Sequence, residues 1–323
     1  MDYRPADKNA LKSVIKVLNY LSGIGGKKLI TGQHTQSMAQ EELVKIREIT
    51  GKEPALLGFE LLSYSPNINY LDTDEECLTE IEENRGTLQR AWEWAEKGGL
   101  ITFTWHWFSP LGGRSKSFFS ENTDFDAEAV LVEGSPENRA FISDMDYMAG
   151  LLRPFCDSNI PILWRPFHEA EGKWFWWGAK GPATAAKLYR LMFEHFTIKK
   201  GLHNLIWVWN CPLKEGYPGD DVVDIISRDM YPQAYEYTAH KDEYLELSEL
   251  TSEEKITAIA ETGVLPDIEE LIKQNVKWTY YMTWSHEFCL SEKYSTYDQL
   301  RKVYNSEYSI TLEDLPELYT EQH

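Results

Sequence analysis

The sequence predicts an α/β chain folded as a (β/α)8 TIM barrel, with its active site at the C-terminal face of the strands. Three observations predict it. Eight short apolar, β-branched or aromatic runs recur along the 323 residues, mostly separated by stretches with helical spacing. Each run ends in a residue equipped to meet a ligand, and barrels of this kind build their sites from several strand ends. No glycine-rich phosphate loop follows the first run, which counts against a doubly wound open sheet.

The runs are 28–32, 55–62, 100–107, 161–167, 205–210, 222–231, 256–262 and 277–285. Their near-continuous hydrophobicity is that of parallel strands covered on both faces. In order, their ends carry Gln33-His34, Glu60, His106, His168-Glu169, Asn210, Tyr231, Glu261 and Trp284. Between them, 41–50, 76–97, 136–158, 183–200 and 266–275 show helical periodicity; Asp144, Met145, Met148, Leu151 and Leu152 share one face of the third. The interval 211–221 holds Pro212, Pro218 and two glycines and is too short for a full helix, so a loop or stunted turn is expected there.

A formal net charge of −20 repels nucleic acid and anionic membranes, and fits an enzyme with a neutral substrate. No run approaches a membrane span. With no linker or repeat, residues 1–323 are expected to be a single catalytic domain, and a monomer. Cys77, Cys156, Cys211 and Cys289 are scattered, as inert thiols would be. Free thiols and an opening without an apolar signal core predict a cytoplasmic chain, or an extracellular one where a signal peptide has been removed.

The chemistry concentrates in Trp164-Arg-Pro-Phe-His-Glu-Ala-Glu-Gly-Lys-Trp-Phe-Trp-Trp-Gly178. A carboxylate beside an imidazole at a strand end, followed by aromatic platforms, suits acid/base chemistry on a flat, uncharged ligand. Sugar rings stack on aromatics, and glycosidic cleavage needs paired carboxylates. Glu261, at the end of the seventh strand, faces Glu169 across the barrel mouth and supplies the second. Glu169 must be protonated near neutrality, and desolvation by the aromatics 174–177 would raise its pKa. Glu261 must stay ionised and needs donors, for which Tyr231 or His168 are available. An ordinary ion pair with a strand-end cation such as Arg165 is the competing explanation for either glutamate, and Glu171 is a competing acid. His34, His106, His168 and two glutamates converge on the rim, but zinc barrel hydrolases use tighter spacing such as H-x-H; no metal and no cofactor are expected.

These residues resemble glycoside hydrolase family 26, best known for bacterial β-1,4-mannanases. The resemblance rests on Gly32-Gln-His34, Gly58-Phe-Glu-Leu-Leu62, Thr104-Trp-His-Trp107, the segment 164–178 and Leu205-Ile-Trp-Val-Trp-Asn210. It continues through Tyr217-Pro-Gly-Asp-Asp221, Asp229-Met-Tyr231, Glu261-Thr-Gly263, Met282-Thr-Trp284 and the tail 304–316. It implies retaining, double-displacement hydrolysis, with Glu169 as acid/base and Glu261 as nucleophile. On it, His168 would orient the catalytic carboxylates and Tyr231 would hydrogen-bond the nucleophile. His106 would contact the sugar on the non-reducing side, Trp284 would floor the sugar being cleaved, and Trp174 would stack on the leaving-side unit. Asn210 counts with the substrate-binding residues. Glu60 stands where the family pattern has Asp, at the rim, and 285–293 does not align with the pattern.

The segment from Trp107 to about Pro136 has no clear periodicity and is expected to wall the cleft, offering Phe119 to a sugar. Trp207 and Trp209 alternate on a strand, where an inward pair would fill the barrel or line a subsite. His195 and His203 flank a helix end, where a surface or dipole role is ordinary. The expected activity is an endo-β-1,4-mannanase cutting mannan, glucomannan or manno-oligosaccharides. The alternatives are the same scaffold cleaving mixed-linkage β-glucan or β-1,3-xylan, and a carbohydrate-binding protein without turnover.

Overall fold

The computed structural model describes residues 3–319. Eight parallel strands close into a barrel in chain order: β1 (Leu29–Ile30, resuming as Gly32–His34), β2 (Leu56–Glu60), β3 (Leu100–Thr104), β4 (Ile162–Arg165), β5 (Leu205–Asn210), β6 (Ile225–Met230), β7 (Ile256–Thr262) and β8 (Tyr280–Thr283). Pairing of Gln33 with Thr283 and of Ile30 with Tyr280 closes the ring. A short β9 (Ser309–Ile310) runs beside the start of β1.

Alternation along each strand divides the core into two layers. Inward residues such as Leu56, Leu100, Leu163, Ile206, Ile225 and Ile256 sit near the strand starts and pack in one cluster with Val14, Val17, Leu18 and Leu21. Those four lie on the helix Lys12–Ile24, which therefore plugs the amino-terminal end of the barrel. Outward residues such as Phe59, Phe103, Trp164 and Ile226 join the surrounding helices in a second cluster. Trp207 and Trp209 belong there too. Their rings pack edge-on and tilted against Tyr189 and Phe193 of the helix Pro182–Phe193, so they neither fill the barrel nor line a subsite, and Ile206 and Val208 point inward instead.

The helical stretches appear with two breaks. The stretch 76–97 is two helices, Glu75–Glu83 and Thr87–Glu96, divided where Gly86 adopts a φ of 76°. The stretch 183–200 leaves α geometry after Phe193 and ends in a π turn, Glu194–Lys199. Between β5 and β6 the link is a loop with one 3-10 turn, Lys214–Gly216. His195 is buried with Nε2 2.6 Å from Asp146 Oδ1, and His203 Nδ1 is 2.8 Å from Asp7 Oδ2, so both tie elements together. All four cysteines are free and buried. Among the described residues no helix is long and apolar enough to cross a membrane.

Candidate active site

After Arg165 the chain turns sharply through Pro166-Phe167-His168-Glu169. Phe167 and Glu169 both occupy the left-handed backbone region, at φ 52° each, which costs a non-glycine residue about 1–3 kcal/mol. Three bonds hold the turn. Glu169 N–H donates to Asn210 Oδ1 (2.6 Å), Ala170 N–H donates to Asn210 O (3.3 Å), and Trp177 Nε1–H donates to His168 O (2.8 Å). The Glu169 carboxylate then accepts from Trp174 Nε1–H at 2.7 Å. Gly172 lies so close to the Trp174 indole that any Cβ would overlap the ring, so glycine is what lets the tryptophan reach back to Glu169.

Glu261 is aimed by a bulge. β7 carries one residue more than either neighbour: Arg228 and Asp229 pair with Ile259 and Glu261, and Tyr281 and Thr283 pair with Ile259 and Thr262. Such an insertion re-aims the side chain next to it. Glu261 Oε2 accepts from Arg165 Nη2 at 2.7 Å, and Oε1 accepts from the Tyr231 hydroxyl. The fully buried Arg165 also donates from Nη1 to Asp229 Oδ2 at 2.7 Å and from Nη2 to Thr104 Oγ1 at 2.9 Å. Asp229 Oδ1 accepts in turn from Asn210 Nδ2 at 2.8 Å. A Cβ at Gly263 would come within 2.9 Å of the Tyr231 and Phe288 rings, so glycine there lets Tyr231 fold over the strand end.

Glu169, Asp229 and Glu261 each bring a carboxylate oxygen within 4.8 Å of the others. That closeness is in keeping with retaining glycosidases, whose carboxyls lie about 5–5.5 Å apart. Three carboxylates could hold a cation, but the Arg165 guanidinium already lies between two of them and donates to both. Three acids facing one guanidinium cannot all ionise cheaply. Burial, with Asp229 adding its charge, raises Glu169 to about 7. Burial and the charge of Asp229 raise the more deeply buried Glu261 further, to about 8, against the pull of Arg165 and Tyr231, so burial alone would put the proton there. The donors decide where the shared proton sits. A guanidinium and a phenol point at Glu261 and only a neutral indole N–H at Glu169, so the proton belongs to Glu169 and the charge to Glu261.

Residues 6–314 match the model of glycosyl hydrolase family 26. The chain belongs to glycosyl hydrolase family 26. It is similar to a mannan endo-1,4-beta-mannosidase of Thermothelomyces thermophilus, 36% identical over 305 residues that cover 92% of this chain. The chain spans only 60% of that relative's length. It is also similar to the crystal structure of the Podospora anserina GH26-CBM35 beta-(1,4)-mannanase, at 34% identity and a TM-score of 0.87, over 99% of this chain and 70% of that one. A third likeness is to a beta-mannanase from a symbiotic protist of the termite Reticulitermes speratus, complexed with gluco-manno-oligosaccharide. It is 28% identical, with a TM-score of 0.86 over 98% of this chain and 100% of that one.

Within this family 26 barrel the remaining candidates gather around the two glutamates. Trp284 stacks on His34 with ring centroids 3.9 Å apart and stands edge-on to His106 at 6.3 Å. Trp174 is exposed beside Glu169, and Tyr231 has a half-exposed ring with its hydroxyl turned inward. His168 departs from expectation: it bonds neither Glu169 nor Glu261. Its Nε2 lies 3.2 Å from Nε2 of His106, because the left-handed turn at Glu169 separates the two neighbouring side chains. Asn210 is fully buried, with both ends of its amide bound inside the protein, so it braces Glu169 and Asp229 and is not free for substrate. Glu60 is buried too, at 3% exposure, and not at the rim. Phe119 is half-buried and stacked on Phe175 at 5.4 Å, while Phe118 is buried with its edge to His106. Ser120 N–H donates to Trp174 O (2.6 Å) and Trp176 N–H to Phe118 O (3.0 Å), so the long loop is joined to the tryptophan segment. Glu171, the competing acid, is raised to about 7 by burial but turns toward Cys211, away from Glu261. Arg165 and Asp229 are the functional residues that sequence reasoning undervalued, although both lie inside the family motifs.

Proposed function

We propose that the chain is a single family 26 catalytic domain acting as a retaining endo-β-1,4-mannanase on mannan, glucomannan or manno-oligosaccharides. One observation carries the chemistry: two glutamates from opposite strand ends converge, one bound by Arg165 and Tyr231 and the other only by an indole N–H. The names of the relatives, mannan endo-1,4-beta-mannosidase and beta-mannanase, support the substrate class.

Glu261 attacks the anomeric carbon while Glu169 gives its proton to the glycosidic oxygen, which leaves with the reducing-side sugar. Forming the ester removes the negative charge of Glu261. Two carboxylates this close disfavour each other's charge, so the pKa of Glu169 falls at the moment it has lost its proton, and it stays ionised as a base. It then takes a proton from water attacking the same carbon, and Glu261 leaves as a carboxylate held again by Arg165 and Tyr231. Trp174 serves as the leaving-side platform, Trp284 as the floor of the cleaved sugar, and His106 as a contact on the non-reducing side. Phe119 lies at the edge of this surface.

The test is reducing-sugar release from glucomannan, galactomannan, mixed-linkage glucan and β-1,3-xylan by wild type, Glu169→Ala and Glu261→Ala. Cleavage of mannans alone, lost in both variants, is the expected result. Preference for another glycan would move the substrate and leave the chemistry. Binding of mannan without cleavage would overturn the enzyme reading.

A further inference from the structure

His106 is gripped from one side by a single residue. Glu60 Oε1 accepts from the backbone N–H of His106 at 2.7 Å, and Glu60 Oε2 lies 2.7 Å from its ring Nδ1. The other ring nitrogen, Nε2, faces His168 Nε2 at 3.2 Å. The carboxylate comes from the end of β2, the first ring from just beyond β3 and the second from just beyond β4, so one chain of contacts crosses three strand ends and stops one residue before Glu169. Phe118 and Phe175 stand edge-on to His106 at 5.1 and 5.3 Å and shield it from water.

An ionised carboxylate only accepts, so both groups that face Glu60 must donate. The backbone N–H always does. The ring can do so only with its proton on Nδ1, and a neutral ring in that tautomer has a bare Nε2, which accepts from Nε2–H of His168. The charges around the ring agree with a firm grip: burial pulls His106 down, but Glu60, with smaller contributions from Glu261 and Glu80, outweighs it and leaves the ring raised. His168 and the buried His34 are held well below the ordinary range, by burial first and then by the positive charge of His106, when that ring is protonated, and of Arg165, and stay neutral.

We infer that Glu60 is a positioning residue for the reaction: it sets the backbone and the Nδ1–H tautomer of His106, and through Nε2 of that ring it orients His168 and the turn that carries Glu169. The inference rests on the proposed glycosidase reading for its kinetic part only.

Glu60→Gln keeps the size and removes the second acceptor. Its carbonyl can take the backbone N–H, which leaves an NH2 group facing Nδ1 and forces the ring proton to Nε2. Two N–H groups would then meet between His106 and His168 unless His168 moves its own proton to Nδ1, which has no partner among the described residues. Nitrogen-15 spectra of labelled histidines, recorded where both rings are neutral, read the tautomer without substrate. The expected result is Nδ1–H at His106 in the wild type and Nε2–H in Glu60→Gln. Cleavage of a manno-oligosaccharide by the variant should fall about 100-fold in kcat/KM, the scale of a misplaced reacting group. Glu60→Asp keeps the charge and should return the Nδ1–H tautomer with part of the activity. A wild-type ring carrying Nε2–H, an unchanged tautomer or unchanged kcat/KM in Glu60→Gln, or Glu60→Asp behaving like Glu60→Gln would each overturn the inference. If the wild type cuts no mannan, the spectra alone decide it.

Discussion

Replacing each glutamate by its neutral isostere should change stability in opposite directions, and this locates the proton without any substrate. Glu169 has a folded pKa of about 7 against roughly 4.3 for an unfolded glutamate. A carboxyl whose pKa is raised on folding holds its proton more tightly in the native state. Its cost to stability is therefore absent at low pH, grows between about 4 and 7, and is complete above that. The gap of between two and three units corresponds to roughly 4 kcal/mol at 1.36 kcal/mol per unit. Glu169→Gln removes that cost, because its carbonyl can still accept from Trp174. At about 2 °C per kcal/mol for a chain of this size, the variant should melt about 8 °C above wild type at pH 8 and level with it near pH 4. Glu261→Gln should do the reverse: burial and Asp229 raise Glu261 too, but the loss at Arg165 outweighs the relief. It leaves Arg165 and Tyr231 as two donors facing one carbonyl and one NH2 group, with the guanidinium short of a partner in the interior. Breaking a buried pair in this way costs about 3–5 kcal/mol. The assay is thermal unfolding of the three proteins across pH 4–9. If Glu261→Gln gained stability at pH 8 while Glu169→Gln lost it, the proton would reside on Glu261 and the assignment of acid and nucleophile from their donors would be refuted.

The same electrostatics should appear in the kinetics. Trp174→Phe removes the indole N–H that lowers Glu169, so the alkaline limb of kcat/KM should move up by about half a pH unit, a charged hydrogen bond discounted for the exposure of Trp174; an unmoved limb would show that the bond does not act on the acid. Asn210→Ala removes the acceptor for Glu169 N–H and a donor to Asp229, so kcat should fall about 100-fold with KM little changed. A rise in KM alone would instead make Asn210 a substrate contact. Phe119→Ala should raise KM on oligosaccharides a few-fold, and unchanged kinetics would remove Phe119 from the sugar-binding surface. Activity should survive excess chelator, because the one close carboxylate cluster among the described residues is already occupied by Arg165; loss of activity restored by a divalent ion would refute this.

The barrel was legible because its signals are local. Each strand is a short apolar run, and the polar residues of the barrel mouth follow directly after, so the places of Glu169, Tyr231 and Glu261 at strand ends could be read by position, while only the family resemblance set Glu169 apart from Glu171. What was not legible depends on register and backbone handedness. The extra residue in β7 that turns Glu261 toward Arg165 has no signature in Ile256-Thr-Ala-Ile-Ala-Glu-Thr262, and the left-handed φ of Glu169 falls on a residue type that rarely adopts it. His168 and Glu169 are neighbours in the chain and read as cooperating, and the structure separates them. The helix Lys12–Ile24 shows its spacing plainly, but a count of strand–helix units begins at a strand and leaves it no place. Trp207 and Trp209 were ambiguous for a different reason: alternation shows that two residues share a face but not which face, and only the rings of Tyr189 and Phe193 decide it.

Glu261 also shows why a structural and a catalytic explanation of one carboxylate need not compete. An ion pair with a strand-end arginine is the ordinary account of a buried glutamate, and Glu261 has that pair with Arg165 at 2.7 Å. A nucleophile must remain ionised inside the barrel, so it requires a cation. A cation devoted wholly to it would hold its lone pairs too firmly to attack. Sharing Arg165 with Asp229 supplies the charge while dividing its pull. The excess of acids over guanidinium then leaves one carboxyl without a cationic partner, and only Glu169 lacks a bond to Arg165. The arrangement that keeps one glutamate charged is thus the one that keeps the other protonated, and replacing Arg165 should disturb both roles together.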